Sequence, residues 1–227
     1  MSKAVVYTGE EDAMDAEVTH VTVAVGLVTI EEWAFYGCKG LKNLSFLKGS
    51  TITTVRDSAF RDSGIASLWG MEGVREIGND AFSECEDLRT IEGLGCEEMG
   101  DYCFAYCHLL QSMKGWPASM TVIPYACFRF CTGMTTVDCD LSHVTSIGAN
   151  AFHGCTSLLP PSLSDGDADP AAVLAFLKRK SILERAPERR AFLCSIKHAH
   201  SNFYNRTGDP CGASRRIIME FAGLFPA

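Results

Sequence analysis

Six phenylalanines, Phe35, Phe60, Phe82, Phe104, Phe128 and Phe152, stand 25, 22, 22, 24 and 24 residues apart. A period of this size restricts the chain to a stack of similar units, because one unit is too short to bury its apolar face alone. Other positions keep step. Five residues before each phenylalanine comes Ile30, Val55, Ile77, Met99, Ile123 or Ile147, and eight before it Leu27, Ile52, Val74, Cys96, Met120 or Val144. The preceding residue is always small (Ala34, Ala59, Ala81, Cys103, Cys127, Ala151). The residue three beyond is a cysteine (Cys38, Cys85, Cys107, Cys131, Cys155) except at Ser63. Six beyond lies Leu41, Leu88, Leu110, Met134 or Leu158; the second copy is one residue shorter and uses Ile65.

Each position has a physical reading. Asp57, Asn79 and Asp101, three residues ahead of their phenylalanines, suit helix N-caps, and Pro124 suits a first helical position. The spacing therefore predicts a short helical turn that presents the small residue, the phenylalanine and the cysteine to one side. A period-two stretch follows, as in Leu41-Lys-Asn-Leu44-Ser-Phe46 or Leu88-Arg-Thr-Ile91, which reads as a half-buried strand. One coil is then a turn plus a strand, and six coils at about 4.8 Å each give a sheet on the order of 30 Å long.

The pattern Φ-x-x-Φ-G-x-x-A-F-x-x-C-x-x-L (Φ apolar), seen in VREIGNDAFSECEDLRTI and VTSIGANAFHGCTSLL, resembles the BspA-type leucine-rich-repeat family over residues 18–158. The resemblance implies an α/β leucine-rich-repeat solenoid of six short turn-plus-strand coils, used for protein binding or adhesion, with no catalytic residues to carry over. Two departures put local curvature in question: the shortened second copy, and Cys96 and Met99 where the other copies have mostly Val or Ile.

Charge divides the chain. Residues 1–160 hold 10 Lys+Arg and 21 Asp+Glu, a balance of −11, while residues 161–227 hold 10 and 7, a balance of +3. An acidic array repels nucleic acid and anionic membranes, so a protein partner is expected, with no nucleic acid and no membrane insertion. No apolar run reaches the roughly 18 residues of a membrane span, and the start MSKAVVYTGEEDAMDAE has acids where a leader needs an apolar core. The expected location is cytoplasmic. Five of the eleven cysteines recur at one apolar repeat position, which favours buried free thiols over a disulfide framework. The sequons at Asn43 and Asn205 weigh the other way, although Asn43 falls in an expected strand.

Along the chain, residues 1–16 are expected to fray and residues 17–160 to form the solenoid, opened by the half-coil Val18-Thr-His-Val21-Thr-Val23. Pro160-Pro161 halts the array, because proline cannot donate to a continuing ladder. Residues 161–227 read as a helical C-terminal cap: a polar linker at 162–169, Asp169-Pro170 as N-cap and first helical residue, and an apolar face of Val173, Leu174, Phe176, Leu177, Ile182 and Leu183.

No constellation supports catalysis or a cofactor. Cys194, His198, His200 and Cys211 lack a standard zinc spacing, and His198 and His200 diverge on a helix, so ordinary cap residues outweigh a minor zinc site. Cys107 beside His108 is read as a buried repeat thiol and not as a nucleophile pair. The basic run Lys178-Arg179-Lys180, with Arg185, Arg189 and Arg190, is interleaved with Glu184 and Glu188 and reads as a solvated helix face. The expected function is a non-enzymatic protein-interaction or scaffold module, possible also as a structural subunit of an assembly; the alternative is cell-surface adhesion. The partner strip is placed on the outward strand positions, anchored by Trp69 and including Lys42, Ser67, Arg89, Glu92, Lys114 and Asp138. Trp116 falls in the Leu47, Met71 and Leu94 register and is expected in the core. Trp33 and Tyr102, both two residues before a phenylalanine, mark a second patch.

Overall fold

The structure is a computed structural model that describes residues 3–9, 17–47 and 49–185, the side chains of residues 183–185 excepted. The chain divides into two compact units, Met1–Arg185 and Ala186–Ala227, and the second lies outside the described residues. The first unit is a stack of coils in which the complete coils contribute two strands each, one more than the sequence predicts.

The strands on the face after the phenylalanine are β2 (Val18–Val23), β4 (Asn43–Phe46), β6 (Ser67–Leu68), β8 (Thr90–Glu92), β10 (Ser112–Lys114) and β12 (Thr136–Asp138). Those ahead of it are β3 (Thr29–Ile30), β5 (Thr54–Val55), β7 (Glu76–Ile77), β9 (Glu98–Met99), β11 (Val122–Ile123) and β13 (Ser146–Ile147). Every pairing among them is parallel and joins equivalent strands of neighbouring coils, as stacking of like units requires. The first face is interrupted between β4 and β6 and the second between β9 and β11. Both interruptions fall at the irregular copies. In the short second coil, Ala66 N reaches Lys42 O at only 3.5 Å, and Gly64 lies so close to the preceding coil that a Cβ there would stand 2.0 Å from Lys39 O. At the other break, Gly78, Gly100 and Gly148 each donate a main-chain hydrogen bond to the preceding coil, whereas Pro124 at the same position has no N–H to give.

The segment around each phenylalanine is not helical. Backbone φ is positive two residues before it (Trp33, Ser58, Asp80, Tyr102, Ala126, Asn150) and two after it (Gly37, Asp62, Glu84, Tyr106, Phe130, Gly154), so a left-handed residue flanks the phenylalanine segment on each side. Left-handed backbone costs a non-glycine residue roughly 1–2 kcal/mol. The return is a third ladder. The N–H groups at those positions and at the phenylalanine itself all point to the following coil: Asp80 N donates to Asp101 O, Phe82 N to Cys103 O and Glu84 N to Ala105 O, at 2.8–2.9 Å, and the same three bonds recur at every junction from coil 1 to coil 6. Asp57, Asn79 and Asp101 accordingly do not cap helices. Their side chains bridge coils: Asp57 Oδ1 accepts from Asn79 N (2.8 Å), Asn79 Oδ1 from Asp101 N (2.9 Å) and Asp101 Oδ1 from Tyr125 N (3.1 Å).

The six phenylalanines are all at most 2% exposed and form one column, with neighbouring ring centroids 4.9–5.6 Å apart and nearly parallel. The repeat cysteines line the column and do more than fill space. Cys85, Cys107, Cys131 and Cys155 each donate their thiol to the phenylalanine carbonyl of the preceding coil at 3.0–3.2 Å. Ser63 meets Cys85 Sγ at 3.4 Å.

Both ends are closed by elements with no repeat signature. Residues 3–7, expected to fray, form β1 (Lys3–Tyr7), which pairs in parallel with β2. Tyr7 is buried, packs edge-on against Phe35 at 5.0 Å and accepts a hydrogen bond from Glu31 N, so it extends the aromatic column by one ring. At the other end α1 (Pro161–Ser164) runs into the expected linker, and its Ser164 carbonyl accepts from Gly154 N at 2.8 Å. Next, α2 (Pro170–Arg185) packs on β12 and β13. Its start is as expected, Asp169 Oδ1 accepting from Ala171 N at 3.0 Å, and Val173, Leu174 and Leu177 are buried. Ile182 departs from that face and is 51% exposed, while Ser181 beside it is buried.

Candidate interaction surfaces

The β6–β12 face carries the predicted strip. Glu92, Lys114 and Asp138 stand directly opposite one another in the sheet, and Trp69 follows Leu68, which pairs with Ile91, so Trp69 continues the same row. Alternation along each strand turns Leu68, Ile91, Met113 and Val137 inward and this row outward. Trp69 is 58% exposed and Trp116 5%, as the register requires. Trp116 packs edge-on against Phe128 and donates its Nε1–H to Met120 O at 3.1 Å. Leu47, placed by sequence in the same inward register, is 44% exposed; it lies just past β4, where this sheet stops pairing with β6.

The other strip residues are brought to this face with differing freedom. Lys114 Nζ binds Glu92 Oε1 at 2.7 Å and Lys42 binds Asp87, so three of the strip's five charges are paired. Arg89 and Asp138 are exposed and Ser67 is half-buried. Exposed ion pairs of this kind contribute little to stability, and they leave Trp69 as the one large apolar group in the strip.

The thiols are chemically quiet. Burial pushes Cys85, Cys96 and Cys155 up to about 12 and raises Cys103, Cys107, Cys127 and Cys131 well above their usual value. Cys107 donates to Phe82 O, while His108 Nδ1 lies 3.0 Å from Phe130 O, so adjacent sequence positions point at different partners. Cys194, His198, His200 and Cys211 lie outside the described residues.

The turn face holds a surface that sequence reading found only in part. Over coils 2 and 3 it is charged. Arg61 reaches Glu84 at 2.7 Å and Asp80 at 3.9 Å on the next coil, and Lys39 pairs with Asp62. Burial raises the Asp80 carboxyl, with Arg61 opposing the shift. Over coils 4 to 6 it is aromatic. Tyr102 and Tyr125 meet edge-on at 5.3 Å, Tyr106 stacks on Phe130 at 5.3 Å, and His153 stands against Phe130 at 4.8 Å. The Arg129 guanidinium lies 5.2 Å from the Phe130 ring centre. Trp33, 55% exposed, is far along the stack and packs on Tyr36. The signal missed was the second left-handed position, two beyond the phenylalanine, where Tyr106 and Phe130 replace polar residues or glycine.

A BspA-type leucine-rich-repeat region in six copies matches residues 13–133 and 70–165. The chain belongs to the BspA-type leucine-rich-repeat family. Among solved structures, this BspA-type chain is similar to a leucine-rich-repeat protein of T. pallidum, at 22% identity over 70% of this chain and 79% of that one, with a TM-score of 0.59; the likeness is one of fold. It also matches a leucine rich cell surface protein from Faecalibacterium prausnitzii A2-165 (17% identity, 63% of this chain and 59% of that one, TM-score 0.34). A third match is the pneumococcal vaccine antigen PcpA (17% identity, 69% and 54%, TM-score 0.38). No curated protein matches the sequence.

Proposed function

We propose that this BspA-type protein is a non-enzymatic interaction module that holds a protein partner on its β6–β12 face, alone or as a structural subunit of an assembly. The observation that carries the reading is Trp69, a tryptophan more than half exposed in the outward row of a parallel sheet that also holds the Lys114–Glu92 ion pair. Tryptophan anchors of this kind contribute a disproportionate share of binding energy at protein interfaces. A protein partner also suits the acidic balance of the array, which disfavours polyanions. Among the described residues no helix is long and apolar enough to cross a membrane. A cytoplasmic location is supported by the free, buried thiols of Cys85, Cys107, Cys131 and Cys155, since reduced cysteine persists in that compartment.

The test is affinity purification from the native cell with the full chain, wild type and Trp69→Ala, read by mass spectrometry. The variant should keep the thermal midpoint of the wild type and lose most of the captured partner. Equal capture by the two proteins would overturn the assignment of this face.

A further inference from the structure

Arg61 and Arg129 occupy the same place in their coils, one residue beyond the phenylalanine, and what faces them differs. Arg61 is answered by two carboxylates on the following coil, Asp80 two residues before its phenylalanine and Glu84 two after it. Arg129 meets Asn150 and Gly154 at those positions. No carboxylate among the described residues forms an ion pair with it. The deficit is built in at Gly154: a Cβ there would fall 2.3 Å from the Phe130 ring, so no acidic side chain fits while Phe130 is present. Asn150 instead donates toward Tyr125 Oη at 3.5 Å. The nearby carboxylate of Asp101 is engaged by Tyr125 N at 3.1 Å. What surrounds Arg129 is aromatic: Phe130 beneath the guanidinium, the Tyr102 hydroxyl within hydrogen-bonding reach of it, and Tyr125 paired with Tyr102.

We propose that the turn face of coils 4 to 6 is a second docking surface, distinct from the Trp69 face, at which an Asp or Glu side chain of a protein partner takes the place beside Arg129 that Asp80 and Glu84 take beside Arg61. An arginine fork matched to a carboxylate gives strong, oriented hydrogen bonds, and Tyr, Phe and Arg are the residue types enriched at protein interfaces. The occupant is a single carboxylate on a protein segment and not a polyanion, because the array as a whole carries a large negative charge.

The probe is acetyl-Phe-Glu-amide, with acetyl-Phe-Gln-amide and inorganic phosphate as comparisons, titrated into the full chain labelled with 15N at arginine. The Arg129 Nε–Hε resonance is assigned by its loss in Arg129→Gln. The glutamate peptide should shift this resonance saturably and leave that of Arg61 in place; the glutamine peptide should not. Asn150→Asp supplies an internal carboxylate in the register of Asp80, whose backbone already tolerates the same left-handed φ, and should weaken the titration by at least about tenfold. Trp69→Ala should bind the probe as the wild type does, which separates this surface from the sheet face. Equal shifts from the glutamine peptide, tighter saturation by phosphate, or an unchanged titration in Asn150→Asp would overturn the proposal.

Discussion

Phe82 touches a ring on each side, at 5.1 Å to Phe60 and 5.5 Å to Phe104, and is wholly buried. Phe82→Ala should therefore lower stability by about 3–5 kcal/mol in urea unfolding, since neighbouring coils fixed by three ladders cannot collapse into the gap. A loss below about 1 kcal/mol would show that the column bears little of the packing. At this scale the sequence was most readable where a position had one requirement. Burial alone fixes the phenylalanines and separates Trp69 from Trp116. It was least readable where a residue serves the backbone. Nothing in Asp57, Asn79 or Asp101 distinguishes a side chain that caps its own turn from one that accepts from the next coil, and Tyr102, Tyr106 and Phe130 belong to residue types rarely found at positive φ. The thiols show the same limit: an apolar filler and a donor to a carbonyl leave the same mark in composition.

Elements that break the repeat decide where the stack ends. β1 went unrecognised because KAVVY has no phenylalanine register to align it, yet it buries Tyr7 on the first coil; α2 announced itself through Asp169-Pro170 and the spacing of Val173, Leu174 and Leu177. The candidate surfaces divide likewise, since period-two alternation exposed the sheet strip, whereas the Arg129 cluster depends on an irregular turn. Leu177 is fully buried where α2 meets the last coils. Leu177→Asp should cost at least about 2 kcal/mol by placing a charge in that contact. Because a solenoid's units are coupled mainly to their neighbours, hydrogen exchange should accelerate in residues 120–159 before it does in residues 18–91. Uniform acceleration along the stack would show that the coils open together and not from the capped end.

For the molecule as a whole, the thiol column sets an alkaline limit. In the folded state Cys85, Cys96 and Cys155 hold their protons to about 12, against an ordinary value of 9.0. The unfolded chain therefore binds fewer protons than the folded one at high pH, and stability falls as pH rises. The contribution is complete below about pH 9 and is lost as pH climbs from there toward 12. Urea midpoints should be level from pH 7 to 8.5 and decline steadily above pH 9; a midpoint indifferent to pH up to 11 would mean that the thiols are hydrated.

The turn ladder also gives the stack a direction that the parallel strands lack, since at every junction the N–H groups two before, at and two after the phenylalanine donate forward to three carbonyls of the next coil. A cut between two coils thus leaves unlike turn edges, one presenting three N–H donors and the other the three carbonyls that accepted them. Fragments severed there are cohesive in a single orientation, and an extra coil can be spliced in only in the sense of its neighbours.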